Sequence, residues 1–155
     1  MDTYGQHLLA EFHHCRGSIL NDLVQVEQLM NQAAKVAGAT VVASVFHPFQ
    51  PQGVSGVVVI EESHLSIHTW PETGYAAVDF YTCGDCVPRR AYEFLQRRFE
   101  CKRAELLTVE RGLQGAASSL RVGVQETSTA IPQVARQLMH PAAAAIEPAA
   151  QRVAS

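Results

Sequence analysis

Ser55-Gly-Val-Val-Val-Ile-Glu-Glu-Ser-His-Leu-Ser-Ile-His-Thr-Trp-Pro-Glu-Thr-Gly-Tyr-Ala-Ala-Val-Asp-Phe-Tyr-Thr-Cys-Gly-Asp-Cys86 decides how this chain is read. Residues 57–60 are a β-branched apolar run and read as a central strand. Residues 65–70 read as a second strand and 75–81 as a third, with turn chemistry at 71–74 between them. Connections this short require antiparallel pairing. Several hydroxyls, two imidazoles, two thiols and a Glu62-Ser63 bond share this stretch. Short apolar strands can hold them rigidly.

Outward from there, residues 7–13 read as a strand with imperfect alternation, broken by Gly17. Ile19, Leu23, Val26, Met30 and Ala33 recur at helical spacing, with Ser18 as the expected cap and Gly38 as the stop. Residues 40–46 are β-branched and read as a strand. Residues 47–53, with Pro48 and Pro51, read as a loop. Pro88 opens a helix whose apolar face is Ala91, Phe94, Leu95 and Phe99. Residues 103–109 read as the last strand. The order is β-α-β-β-β-β-α-β. It predicts an α+β two-layer sandwich: a mainly antiparallel sheet with two helices on one face. The other sheet face then needs a partner, which points to a dimer.

The chain has 155 residues, 47% of them hydrophobic, enough for one domain with a sizeable core. Net charge is -3, and no basic stretch suggests nucleic acid. No apolar segment is long enough to span a membrane, and no secretory signal is visible at the start. The four cysteines, Cys15, Cys83, Cys86 and Cys101, are expected to be reduced, as in a cytoplasmic protein. Residues 1–112 form the expected domain. Residues 113–155, rich in Ala, Gln, Ser and Pro, read as a flexible tail with a possible short helix at 133–139.

A serine hydroxyl in a strained turn can attack the preceding carbonyl. Ser63, after Glu62, is such a candidate, with His68 and Ser55 as base and donor. On this feature alone a turn serine is the commoner outcome. His64, Ser66 and His68 share one strand face. The two imidazoles are four residues apart, roughly 13 Å on a strand, too far for one metal ion. Cys83-Gly-Asp-Cys86 has redox-motif spacing, but no second Cys pair completes a zinc site. A single working thiol at Cys83, with Cys86 incidental, fits better. Cys15 and Cys101 read as packing. Phe49 and Trp70, beside prolines, suit a flat base or a sulfonium. Glu72 suits ribose hydroxyls.

Residues 53–84, with Gly5, His7, Phe46, His47 and Pro51, resemble the short prokaryotic type of S-adenosylmethionine decarboxylase, over about residues 4–111. The Ser-His-Leu-Ser-Ile-His-Thr-Trp-Pro-Glu run carries the resemblance. It implies a pyruvoyl-dependent enzyme that cuts itself between Glu62 and Ser63. Residues 1–62 become the β chain, and the α chain begins at Ser63, converted to the pyruvoyl cofactor. The resemblance makes His68 the processing base, assisted by Ser55, and Cys83 the proton donor in catalysis. It places Phe49, Leu65, Trp70 and Glu72 at the substrate. It implies active sites shared between at least two protomers, and a product that feeds spermidine synthesis. No metal is expected.

Amino-acid decarboxylation needs an electron sink. Pyridoxal phosphate would need a lysine, and the two present, Lys35 and Lys102, lie away from the motif. Two alternatives stand beside this reading. One is a pyruvoyl-dependent arginine or ornithine decarboxylase on the same fold. The other is a non-enzymatic thiol or zinc protein using His64, His68, Cys83 and Cys86.

Overall fold

A computed structural model describes residues 3–114, 117–118 and 121–129. Strand β1 (Gly5–His13) leads to helices α1 (Gly17–Leu20) and α2 (Leu23–Val36). Four strands follow: β2 (Thr40–Pro48), β3 (Val54–Glu61), β4 (Ser63–Trp70) and β5 (Tyr75–Cys83). Helix α3 (Pro88–Arg98) precedes β6 (Arg103–Arg111). The short strands β7 (Leu113–Gln114) and β8 (Ala117–Ser118) pair with each other, and β9 (Arg121–Thr129) follows. One sheet has the order β2-β3-β4-β5-β1-β6-β9, with every neighbouring pair antiparallel.

The predicted α+β two-layer sandwich is the fold observed. Helices α2 and α3 place Val26, Leu29, Met30, Ala33, Ala91 and Leu95 against one sheet face. That face supplies Leu8, Phe12, Val58, Ile60, Leu65, Ile67, Val78 and Phe80, all buried. Phe12 stacks on Tyr92 at 5.5 Å between ring centroids and meets Phe99 edge-on at 5.9 Å. Gly56 is required by close approach. A Cβ there would lie 2.0 Å from the Phe46 ring that crosses it.

The first predicted helix is two helices. The break falls at Asn21-Asp22, because Asp22 is the stronger cap and its carboxylate accepts from Gln25 N–H at 3.0 Å. Ser18 lies inside α1 rather than at a cap. Asn21 serves the break as well, accepting from Gly53 N–H at 3.0 Å. Buried Thr69 donates to the Leu20 carbonyl at 2.9 Å and accepts from Val54 N–H at 2.8 Å. The start of β3 and the end of β4 are therefore pinned to α1.

The expectation of a wholly flexible tail does not hold for residues 121–129. Strand β9 pairs with β6, and α3 reaches it with polar side chains. Arg89 makes two bonds to the Glu126 carboxylate, 2.9 and 2.7 Å. Tyr92 and Gln96 both meet Ser128 Oγ, at 3.0 and 2.9 Å. The sequence hides this strand because the residues it turns towards α3, Glu126 and Ser128, are polar and leave no apolar alternation. The possible helix at 133–139 lies outside the described residues.

The second sheet face has no covering layer among the described residues. Val45, Val57 and Val59 are 74, 41 and 44% exposed on it.

A chain ending at Gly112 should therefore melt lower than the full protein by about 5 °C or more, since each kcal/mol shifts a domain of this size by about 2–8 °C. Tyr92→Phe, which removes one hydroxyl contact, should cost no more than about 1.5 kcal/mol. Thermal melts of the three chains check this; a truncated chain that melts with the full one would remove β9 from the stability of the fold.

Candidate active site

Strands β3 and β4 form a tight hairpin, with Ile60 opposite Ser63 and Glu61-Glu62 as its turn. Ser63 is thus the first residue of a central strand. Its φ is +130°, a region unfavourable for a residue with a side chain. Holding such a conformation costs about 1–3 kcal/mol, which the packed hairpin must offset. On its other side Ser63 pairs with Thr82, so the next residue, Cys83, ends β5 beside it.

Around this end of the sheet lies an open cleft of about 450 Å³, lined by Gly38, Glu61, Glu62, Cys83, Gly84, Asp85 and Cys86. The Cys83 thiol lies 3.5 Å from Tyr81 Oη and 3.9 Å from the Thr3 carbonyl. Gly5 is required here: a Cβ on it would sit 2.8 Å from Cys83 Sγ and 2.5 Å from the Thr82 carbonyl.

The other predicted residues gather at the opposite end of the sheet. Ser55 and His68 are cross-strand partners, with Ser55 Oγ 2.6 Å from His68 Nδ1. The His68 ring lies 6.4 Å from Trp70. Beside Ser55, His47 meets Phe49 edge-on at 5.2 Å. Glu72 accepts from Gln52 Nε2 at 3.2 Å. Phe49 and Trp70 are 50 and 42% exposed, as aromatics available to a ligand must be. Tyr75, 5.1 Å from Trp70, hydrogen-bonds Glu11, and burial followed by that bond pushes its phenol up to about 12.

Three expectations are corrected. His68 and Ser55 are not near Ser63 within the chain. His68 stands five positions along β4 from Ser63, roughly 16 Å at the usual strand rise. Leu65 does not offer its side chain to a substrate. It alternates onto the helix-covered face and is fully buried in the core. The loop expected at residues 47–53 starts later, because β2 runs through His47 to Pro48.

Between the two ends lies a polar group that the sequence did not flag. Arg111 packs over the Tyr81 ring and touches His7, which faces Asp79. Asp79 accepts from Ser66 Oγ at 3.0 Å. Its members come from β1, β4, β5 and β6, so no local spacing reveals it. His64 and His68 share the outward face as expected, and no cluster of three or more metal-ligating side chains occurs among the described residues. All four cysteines are free thiols; Cys15 and Cys101 are buried, and a hydrogen bond with the Cys15 side chain, together with burial, raises the Cys101 thiol. Among the described residues no helix is long and apolar enough to cross a membrane.

The comparisons with known proteins converge on one family. The family model described as S-adenosylmethionine decarboxylase matches residues 6–112. A protein from Thermotoga petrophila named S-adenosylmethionine decarboxylase proenzyme is 53% identical over 113 residues, 72% of this chain and 87% of that one. One of the same name from Pelotomaculum thermopropionicum is 55% identical over 114 residues, 73% of this chain and 90% of its own. The crystal structure of the adenosylmethionine decarboxylase from Aquifex aeolicus superposes with a TM-score of 0.69 at 37% identity, covering 76% of this chain and 98% of that one. With this match over the whole sheet up to β6, the chain belongs to the S-adenosylmethionine decarboxylase family.

Proposed function

We propose that this chain is a proenzyme that cuts itself before Ser63 and then decarboxylates S-adenosylmethionine, giving decarboxylated S-adenosylmethionine and CO2 for spermidine synthesis. The observation that carries the reading is the strained start of β4 at Ser63, paired across strands with Thr82, beside an open cleft that Glu62 and Cys83 line. Neither Lys35, in the last turn of α2, nor Lys102, just before β6, is among the residues that line this cleft. A carbonyl cofactor generated at Ser63 itself needs no lysine in the cleft.

In maturation the Ser63 hydroxyl attacks the Glu62 carbonyl, and the peptide bond becomes an ester. Loss of the Ser63 Cα proton to a base opens that ester and releases residues 1–62 with a free carboxylate. The dehydroalanine left at position 63 tautomerises, takes up water and releases ammonia, and the pyruvoyl group so formed would supply the electron sink for loss of CO2. Cys83 delivers a proton to the carbon that has lost it. Phe49 and Trp70 offer aromatic faces to the adenine or the sulfonium. Glu72 accepts from ribose hydroxyls.

A base must come within about 2.6–3.2 Å of the proton it takes. His68 is roughly 16 Å from Ser63 along its own strand. The His68-Ser55 pair therefore serves the Ser63 of a second copy. Along β3 the outward residues run Ser55, Val57, Val59, Glu61, so an exposed apolar stripe joins the two half-sites. Two copies stacked face to face, each hairpin end over the other's His68 end, complete two sites and cover the valines. A two-fold arrangement of this kind is self-complementary and closes.

Ser63→Ala should remain one uncleaved chain by intact mass. His68→Ala alone should also stay uncleaved. Co-expressed with the Ser63→Ala chain, which keeps its imidazole, the His68→Ala chain should be cut. If it stays whole while wild type cuts, the base acts within one chain. Cys83→Ala should still cleave, but release labelled CO2 from carboxyl-labelled S-adenosylmethionine about 10²–10⁴-fold more slowly. Arginine and ornithine in the same assay test the substrate; wild type that releases CO2 from either of them and not from S-adenosylmethionine would overturn that assignment.

A further inference from the structure

Cys83 has a neighbour of its own type of chemistry that the proposed reaction has not used. Alternation along β5 puts Tyr81 on the same face as Cys83. The thiol lies 3.5 Å from Tyr81 Oη, within reach of a sulfur hydrogen bond, while the Thr3 carbonyl is farther, at 3.9 Å. The Tyr81 ring carries the Arg111 guanidinium, whose Cζ is 4.6 Å from the ring centroid. That is well inside the range of a cation–π contact.

Arg111 is itself held. Its Nη1 lies 3.1 Å from His7 Nδ1. A guanidinium only donates, so His7 Nδ1 must accept and be unprotonated. Burial moves His7 below its ordinary value, Arg111 adds to the effect, and Asp79 opposes it. With its proton on Nε2, His7 faces Asp79 at 3.9 Å, and Asp79 is fixed by Ser66. The chain of contacts ends on the thiol at one side and on β4 at the other.

We propose that Tyr81, clamped by Arg111, is the positioning residue for the Cys83 proton. The proposal rests on Cys83 being the proton donor. In the transfer the S–H bond breaks and a C–H bond forms at the substrate carbon that has lost CO2. The sulfur is left as a thiolate, the Tyr81 O–H turns to donate to it, and solvent in the cleft returns the proton. The hydrogen bond with Cys83 raises the Tyr81 phenol, so it keeps its proton for this task at neutral pH. Without the clamp the thiol is free to swing towards the Thr3 carbonyl. The proton then arrives late or at the wrong carbon.

The test labels Cys83 with iodoacetamide in full-length chains carrying Ser63→Ala, read by mass spectrometry, with Cys86 in the same cleft as internal control. Tyr81→Phe should speed Cys83 labelling by about 2–10-fold, the worth of one hydrogen bond. Arg111→Gln should act in the same direction, and Arg111→Lys, which keeps a cation over the ring, should recover most of the effect. In cleaved enzyme the same order should appear in the fraction of turnovers that misplace the proton, read as conversion of the α-chain terminus to alanine by intact mass. Variants that melt as the parent does and leave both Cys83 labelling and proton placement unchanged overturn the proposal. Labelling in the Ser63→Ala background needs no self-cleavage. A wild type that fails to cleave therefore counts against the proposed function, and the labelling still decides the clamp.

Discussion

The register of the β3–β4 hairpin is the constraint on which the rest of this structure depends. With Ile60 opposite Ser63 and Ser55 opposite His68, every side chain of two central strands is assigned a face. Val58, Ile60, Leu65 and Ile67 go to the helices, and Ser55, Val57, Val59, His64, Ser66 and His68 go outward. A slip of one residue would exchange the two sets completely. Burial of each large aliphatic side chain stabilises by about 1.5–3 kcal/mol. Four of them on one hairpin outweigh the cost of holding Ser63 at a positive φ. The strained serine can persist because the core has no other way to close over the hairpin.

The same register explains why the outward face is divided. Residues of one strand that share a chemical task cannot share a place if they stand five positions apart. Ser63 comes to the Cys83 end of the sheet because it pairs with Thr82, and Ser55 and His68 meet because they pair with each other. What separates the two pairs is the length of β4. The apolar stripe between them, Val57 and Val59 with Val45 beside them, is uncovered by any helix. A sheet buries one face in its own helices and leaves the other to be covered by something else. Completion of the site and burial of that face are then one event, because both need the same surface of a second copy.

The polar group of Tyr81, Arg111, His7, Asp79 and Ser66 occupies the rest of this face, towards β1 and β6. Buried or half-buried polar side chains must find partners or destabilise the fold. Here each contact joins two different strands. The network therefore fixes those strands relative to one another as well as relative to the thiol. Strand β9 extends the sheet on the far side of β6, tied to α3 through Arg89 and Glu126. That pair is half exposed and contributes little alone.

The local pattern of the sequence determined the sandwich. Residues 57–60, the turn at 71–74 and the apolar faces beginning at Ile19 and Pro88 settle which segments are strands and which are helices, because period and turn chemistry are local. They also determined the chemical inventory: Ser63, His68, Cys83 and the exposed aromatics stand out by type and context. The break at Asn21-Asp22 was legible as an N-cap signal but was overshadowed by the continuous apolar spacing across it. Leu65 shows the limit of residue-by-residue reading. Only the pleat tells whether a strand residue faces the core or a ligand. Strand β9 was hidden because an edge strand with few apolar residues looks like a linker until its partner is known. The division of the site into two ends, and the contacts of Tyr81 with Arg111 and Cys83, were decided by tertiary structure alone. They depend on register between strands far apart in the chain, and register is a property of pairing that no single segment carries.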